Sequence, residues 1–591
     1  MTSRNVLSKS IDNTMDEKGK PGQVNAIAVP LVVGVTSHRN IPAREVEPIR
    51  RCVRVFLARL AHEFPGLPLV VLSALAEGGD QLVAHEALAA GARLVAPLPL
   101  PQDLYLDDFA DPAARAGFDT LCSQADVVQL PLLTGQSRLA IEPQGSARDR
   151  QYAQAGVYIA SHCHLLLAIW DGKESDRLGG TAQVVNYHLS GAMPGLIERR
   201  RSARNLLGGG EERLLYHIVC SRDETDGAPV AGLAPLQMLW RSADGAVAAD
   251  TGMPPEFHLM YARMAEFNAE CGKYAAAIEA SARTSDSACL ETAATVDRLF
   301  HPADWLAIHF QKRVLLAMRS TYTLAALMGI AFMAYSDLPA QDYMIFVFLL
   351  FFATGAFMAV LAHRRAWQRK YLDYRALAEG LRVQSYWRRA GISVTGDPEF
   401  AHDNFLQKQD VELGWIRNVM RSANLDAECS PQPLEPDALA RVIWDWVGEP
   451  GKFGQLHYYE RCAAERERMH QVTETLGAIS LWIGITISVF LALFFLTLSQ
   501  DTKTLLVAIM AVVSIIAAVR EAYAYRKADK ELIKQYRFMA HIFASARTEL
   551  DRARDPATQR EILRALGETA LAEHAEWTLM HRGRPLQHAR F

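Results

Sequence analysis

At 591 residues the chain is too long for one hydrophobic core, which predicts two or more domains. Half of the residues are hydrophobic and the mean hydropathy is zero, too apolar for an ordinary soluble enzyme and too polar for a transporter, so a cytosolic part joined to a few membrane spans fits best. A formal net charge of −4 with pI near 6.5 offers nucleic acid no general attraction, and eight scattered cysteines without a Cys-x-x-Cys pair exclude a disulfide scaffold and a zinc ribbon.

Residues 1–28 are polar and read as a disordered tail. From Val29 to about residue 225, short β-rich runs alternate with amphipathic helices, the pattern of a parallel, Rossmann-like α/β sheet. The strands are "VPLVVGVT", "LPLVVLS", "ARLVAPLPL", Ala125 to Leu130, "HLLLAIW" and finally "LLYHIVCS", which closes the sheet. Helices are expected over Arg44 to Phe64, up to Ala90, and over Arg150 to Ser161.

In such sheets ligands sit outside the carboxyl ends of the strands. Three loops fall there: "GVTSHRN", "SALAEGGDQ" and "WDGKESDRLGGTA". The first offers Gly34, Thr36, His38 and Arg39, whose cations would meet a phosphate or simply edge a solvated turn. The second offers Ser73, Glu77, Gly78, Gly79 and Asp80, suited to ribose or base hydroxyls or to capping a helix. In the third, Trp170 either stacks on a base or packs, Asp171 and Gly172 shape the loop, and Gly179, Gly180 and Thr181 open a helix. Glycines let backbone approach a phosphate, and the free amides of a helix start supply hydrogen bonds, so this turn is expected to grip one; the alternative is a tight turn with Thr181 as N-cap. "GGTAQ" lacks the lysine of a Walker loop, and no Gly-x-Gly-x-x-Gly follows the first strand. His162 and His164 share a strand face, but no further ligands cluster near them, so no metal is expected. Arg199 to Arg201 read as a basic surface loop.

Residues 226–312 form a helix-rich stem. Four uncharged apolar runs follow, Ser320 to Ser336, Tyr343 to Ala362, Thr475 to Gln500 and Thr504 to Val519, pairing into hairpins within 313–421 and 457–591 around a 422–456 linker. The tight loops "DLPAQD" and "SQDTK" are mostly acidic and the opposite ends basic, which places the soluble segments and both termini in the cytoplasm. The hairpins repeat: an offset of 162 positions pairs Arg364 with Arg526, Ala366 with Ala528, Tyr374 with Tyr536, Arg375 with Arg537, and Ala378 with Ala540 without a gap. Each hairpin leads into an amphipathic helix, through Tyr374 or Tyr536. Duplication suits a pseudosymmetric pore and equally a doubled anchor; no charge sits mid-span, which disfavours ion-coupled transport.

"VGVTSHR", "LSALAEGGDQLVAHEAL" and "YIASHCHLLLAIWDG" followed by "GGTA" resemble the SLOG superfamily, which includes DprA-like and cytokinin-activating LOG proteins and the amino-terminal domain of TRPM channels. The hairpins, with "YRALA" and "YRFMA" after them, are similar to SLATT-type two-helix membrane modules of bacterial nucleotide-signal and conflict systems. The resemblance implies a nucleotide-derived ligand, ADP-ribose-like or a cyclic nucleotide, with no other cofactor indicated. It also implies a homo-oligomeric effector in a bacterial inner membrane, acting on the lipid bilayer as a pore or channel, with a role in anti-phage defence. The family's hydrolases carry Pro-Gly-Gly-x-Gly-Thr-x-x-Glu. Here Val184 stands where that glutamate falls, which favours binding over hydrolysis unless Asp171, Glu77 or Asp80 supplies the carboxylate. A membrane-tethered hydrolase or N-glycosidase and a non-conducting signalling anchor are the alternative functions.

Overall fold

The computed structural model describes residues 28–197, 213–243, 245–249, 252–284, 295–338, 341–392, 405–406, 411–429, 437–494, 496–526 and 529–582. The Arg199 to Arg201 run and nearly all of the expected tail lie outside them.

Alternation along the first strand decides which helices cover which face of the sheet. In β1 (Leu31–Ser37), Leu31, Val33 and Val35 point to one core, shared with Ile49, Val53 and Phe56 of α1 (Ala43–Glu63). Val32 points to the other core, with Val157 and Ile159 of α6 (Ser146–His162) and Val184 and Val185 of α7 (Thr181–Ser190). The chain then adds β2 (Leu69–Leu72), α2 (Gly79–Ala89) and β3 (Arg93–Leu98). Next come α3 (Gln102–Leu106), α4 (Pro112–Cys122), β4 (Asp126–Gln129) and α5 (Arg138–Ile141). After α6, β5 (Leu165–Trp170) returns to the far side of β1, and β6 (Leu214–Val219) pairs with it in parallel. The order β4-β3-β2-β1-β5-β6 thus reverses direction between β1 and β5.

The sheet does not close at "LLYHIVCS". β7 (Met238–Ser242) and β8 (Val247–Ala249) extend it antiparallel to eight strands, inside the segment expected to be a helical stem. The cause is tertiary: Trp240 of β7 packs against Phe56 and Tyr216, whose rings stack 4.2 Å apart.

The remaining described elements are helical. α8 (Pro255–Lys273) lies on the α/β domain, with Tyr261 donating to the His164 carbonyl and Asn268 bonded to both backbone groups of Val29. After α9 (Ala275–Thr284), the 43-residue α10 (Thr295–Asp337) joins a more polar half to an apolar half in one helix. α11 (Met344–Arg364) returns, and α12 (Trp367–Arg389) packs back along α10. α13 (Gly414–Cys429) docks on the α/β domain, with Arg93 Nη1 2.5 Å from Asp426 Oδ1 and the Tyr158 hydroxyl donating to Glu428 at 2.8 Å. α14 (Ala438–Val442) runs into a π-helical turn, Ile443–Val447, where Trp446 stacks on Tyr386. The second unit is α15 (Gly454–Leu493), α16 (Gln500–Arg526) and α17 (Asp529–Arg552), and α18 (Pro556–Arg582) packs on both α12 and α17.

The repeat is structural. Shifted by 162 positions, α11 ends with α16 at Arg526, and α12 covers 529–551 against Asp529–Arg552 for α17. Among the described residues, four helices are long and apolar enough to cross a membrane, and they carry the four apolar runs. Their outward side chains include Phe346 (72% exposed), Phe357 (66%) and Trp482 (66%), a surface suited to lipid rather than water. Thr321 bonds back to the Ala317 carbonyl of its own helix.

Candidate functional site

The connections from β1 and β5 leave to opposite faces of the sheet, α1 into one core and α7 into the other, and the expected loops meet in the crevice outside the carboxyl ends of the two strands. The end of β1 is held from three directions. Ser37 donates to Asp80 Oδ1 at 2.6 Å on α2, Thr181 of α7 donates to the Ser37 carbonyl at 2.8 Å, and His38 Nε2 lies 3.1 Å from Asp171 Oδ1 beyond β5. The Gly79 amide reaches the His38 carbonyl at 3.3 Å. Here glycine is required: Gly78 has φ +96°, and a Cβ on it would stand 2.3 Å from the Arg39 carbonyl oxygen.

Arg39 and the Gly179 turn share a neighbour. The Arg39 guanidinium sits 5.6 Å from the Tyr152 ring centre, and Gly179, at φ +75°, presses so closely on α6 that a Cβ would be 2.8 Å from the Ala153 nitrogen. Tyr152 in turn donates to Asp108, which the buried Arg148 also holds through Nε at 3.0 Å. The first helical turn of α7 has Gly180 as its N-cap and no side-chain cap, so Thr181 is not the N-cap; its hydroxyl goes to β1. The start of α2 is likewise uncapped by any side chain. Two helix amino termini and a guanidinium therefore frame one crevice, an arrangement that favours negative charge.

The other expected residues are placed differently. Gly34 lies in the strand, where a Cβ would meet Cys163 and Ile159 at 2.9 Å, so its role is close packing of α6; Thr36 is buried on the same face. Ser73 accepts from the Leu75 amide. Glu77 turns away from the crevice and accepts from the Ala110 and Asp111 amides, both at 3.2 Å. Trp170 is buried, donates to the Lys173 carbonyl and lies 5.2 Å from the His217 ring, so it packs. Gly172, at φ +81°, closes against Val230 and Leu233. Val184 packs into α6, where its methyl would overlap any Cβ at Gly156, so it faces the core. His162 and His164 part company: His164 bonds the Asn418 carbonyl and the Val32 amide, while His162 faces Tyr158 and Glu428.

Two carboxyls in the crevice are driven apart. Burial lifts Asp80 to about 6 despite the Ser37 hydroxyl and Arg39. Burial also opposes ionisation of Asp171, but His38, the Lys173 amide and Arg222 outweigh it and hold that carboxyl below the usual range.

Ser37, Tyr152, Asp108 and Arg148 were not among the expected site residues. Ser37 stands inside the "GVTSHRN" loop, so its position there was a readable signal; Tyr152 and Arg148 are brought there by the packing of α6, and Asp108 is bonded by both. Compared with known proteins, the chain matches no family model, no curated protein and no solved structure.

Proposed function

We propose that the α/β domain senses a nucleotide-derived ligand and governs the two membrane hairpins. The observation that carries this reading is the crevice at the point where strand order reverses between β1 and β5, spanned by His38–Asp171 and Thr181–Ser37. A phosphate there would meet Arg39 and the amides opening α2 and α7. The SLOG resemblance supports a ligand of ADP-ribose or cyclic-nucleotide type, and the SLATT resemblance supports a membrane effector in a bacterial inner membrane, assembled from several copies. Binding is favoured over hydrolysis because each nearby carboxylate already has work: Glu77 holds two backbone amides, Asp171 faces His38, and Asp80 accepts from Ser37.

A mechanical route exists from crevice to spans. α8 touches the α/β core at Tyr261 and Asn268 and holds α12 by an ionic clamp: Arg369 Nη2 lies 2.7 Å from Glu266, and Lys370 pairs with both Glu266 and Glu270. α12 continues directly from α11 through Ala366, at φ +50°. Movement of the α/β domain would be delivered to the cytoplasmic end of the first hairpin.

The test is the full chain in dye-loaded liposomes, titrated with ADP-ribose, cyclic nucleotides and nucleoside monophosphates. Saturable binding with ligand-dependent leakage and no product supports the effector. Release of a free base makes it a tethered hydrolase, and binding without leakage makes it an anchor.

A further inference from the structure

A cavity of about 360 Å³ lies where the apolar spans meet the cytosolic helices, walled by α10, α12, α15, α16, α17 and α18. Its walls come from both copies of the repeat, so an occupant touches both hairpins. Four guanidinium groups line it, Arg319, Arg375, Arg466 and Arg526, against two carboxylates, Glu379 and Glu573.

Glu379 is already matched. It lies 2.5 Å from Arg375 and 3.0 Å from Arg382; burial opposes its charge, but those cations hold it at about 2. Asp304, 3.4 Å from Arg375 and 3.6 Å from Arg382, completes a balanced group of four. Arg319, Arg466 and Arg526 line the cavity together with Glu573, whose carboxyl is pushed up by burial and by Glu576, so that arginines outnumber carboxylates in the lining by four to two.

Arginines at a membrane boundary ordinarily reach for headgroups, so charge alone would not make a site. Two further features do. His574 Nε2 and Gln535 Oε1 line the cavity buried and without a hydrogen-bond partner among the described residues, and burial, with Arg375 and Arg382 nearby, draws the imidazole down to about 4. A neutral imidazole retains one N–H, able to donate to an anion's oxygen. The walls are also aromatic: Trp577 stacks on His574 at 5.0 Å and meets the Tyr371 ring edge-on at 6.1 Å, and Arg466 lies 5.4 Å from the Tyr536 ring centre.

We propose that this cavity binds a phosphate-bearing molecule with an apolar or planar body, at the joint between the two hairpins. Guanidinium forks match phosphate oxygens, and the aromatic wall takes the remainder. The phosphate comes either from a phospholipid of the inner leaflet or from a soluble phosphate ester. The site is separate from the α/β crevice and does not depend on it.

The experiment uses the full chain in phosphatidylcholine nanodiscs and follows the thermal unfolding midpoint in two titrations, phosphatidylglycerol replacing part of the lipid, and sodium pyrophosphate in solution. A rise in either is expected, the first identifying a lipid and the second a soluble source. Arg466→Gln/Arg526→Gln should weaken the apparent affinity by about tenfold or more. Arg364→Gln/Arg365→Gln, which removes cations from the matching end of the first hairpin outside the cavity, should leave it unchanged. Arg319→Gln, on the exposed rim, provides a milder second variant should the double one fail to fold. No rise in either titration overturns the proposal, as does a rise that neither cavity variant reduces. A rise abolished by Gly180→Glu but kept by the cavity variants belongs to the crevice and also overturns it.

Discussion

Asp80 stands one residue into α2, buried, with the Ser37 hydroxyl as its partner, and its carboxyl ionises near 6 instead of 3.8. Between those values the folded chain holds a proton that the unfolded chain releases, so stability falls as pH rises through that window. Asp80→Asn keeps an acceptor for Ser37 and removes the buried charge. It should therefore stabilise the chain above pH 6, by up to about 3 kcal/mol, and have little effect near pH 4. Equal midpoints for variant and wild type at both pH values would show that Asp80 is neutralised some other way. Gly180 tests the crevice itself. Its φ of −76° tolerates a side chain and its Cβ would meet Arg177 alone, the carbonyl oxygen at 3.1 Å, whereas Gly179 could accept a Cβ only against α6. Gly180→Glu should leave the circular dichroism spectrum intact and abolish nucleotide binding, by placing negative charge where a phosphate approaches. Retained affinity in a calorimetric titration would remove this turn from the site.

Between elements, the two equivalent tyrosines have different work. Tyr374 of α12 is 2% exposed and packs among Phe267 of α8, Phe310 of α10 and Trp415 of α13, with ring centres 5.8 to 6.2 Å away. It joins the first hairpin to the helices that contact the α/β domain. Tyr536 of α17 is only half-buried, meets Tyr459 of α15 and edges the cavity. Tyr374→Ala should cost about 3–5 kcal/mol in denaturant unfolding, and Tyr536→Ala clearly less. If Tyr374 is a coupling element, milder Tyr374→Phe should keep stability, since the buried hydroxyl has no partner among the described residues, and should keep ligand-dependent leakage as well. Equal losses for the two alanine variants would contradict the asymmetry of the packing.

At the scale of the molecule, the four apolar helices and the charges at their ends set the topology. Arg364, Arg365, Arg369 and Lys370 follow one hairpin and Arg520, Arg526 and Lys530 the other, while the tight turns carry Asp337, Asp342 and Asp501. Cysteines placed at Asp342 and Thr502 should be labelled by an impermeant maleimide only from outside the cell. Labelling of either from the cytoplasmic side would invert the hairpins and place the α/β domain on the opposite face. The long rods matter here: α10 and α15 each join an apolar half long enough to cross a membrane to a more polar half within one helix.

Six strands, the four apolar helices and the 162-residue repeat were legible in the sequence because each is written in a local period: two for a strand, 3.6 for a helix, and an uninterrupted apolar run for a span. So was the meeting of three loops, since a parallel sheet carries its loops to one edge. What the sequence alone did not show depends on partners far away along the chain. β7 exists as a strand because Trp240 finds Phe56 and Tyr216. α13 carries Arg417 and Arg421, yet both arginines are buried, and burial together with Arg421 draws the Arg417 guanidinium down to about 9. Its seat is fixed by contacts such as Arg93 to Asp426, separated by 333 positions. Local periodicity specifies which face of an element is apolar, but not which distant face will cover it; that choice, and with it the direction Glu77 turns, the partner Ser37 finds and the cavity between the hairpins, was made only when the elements packed.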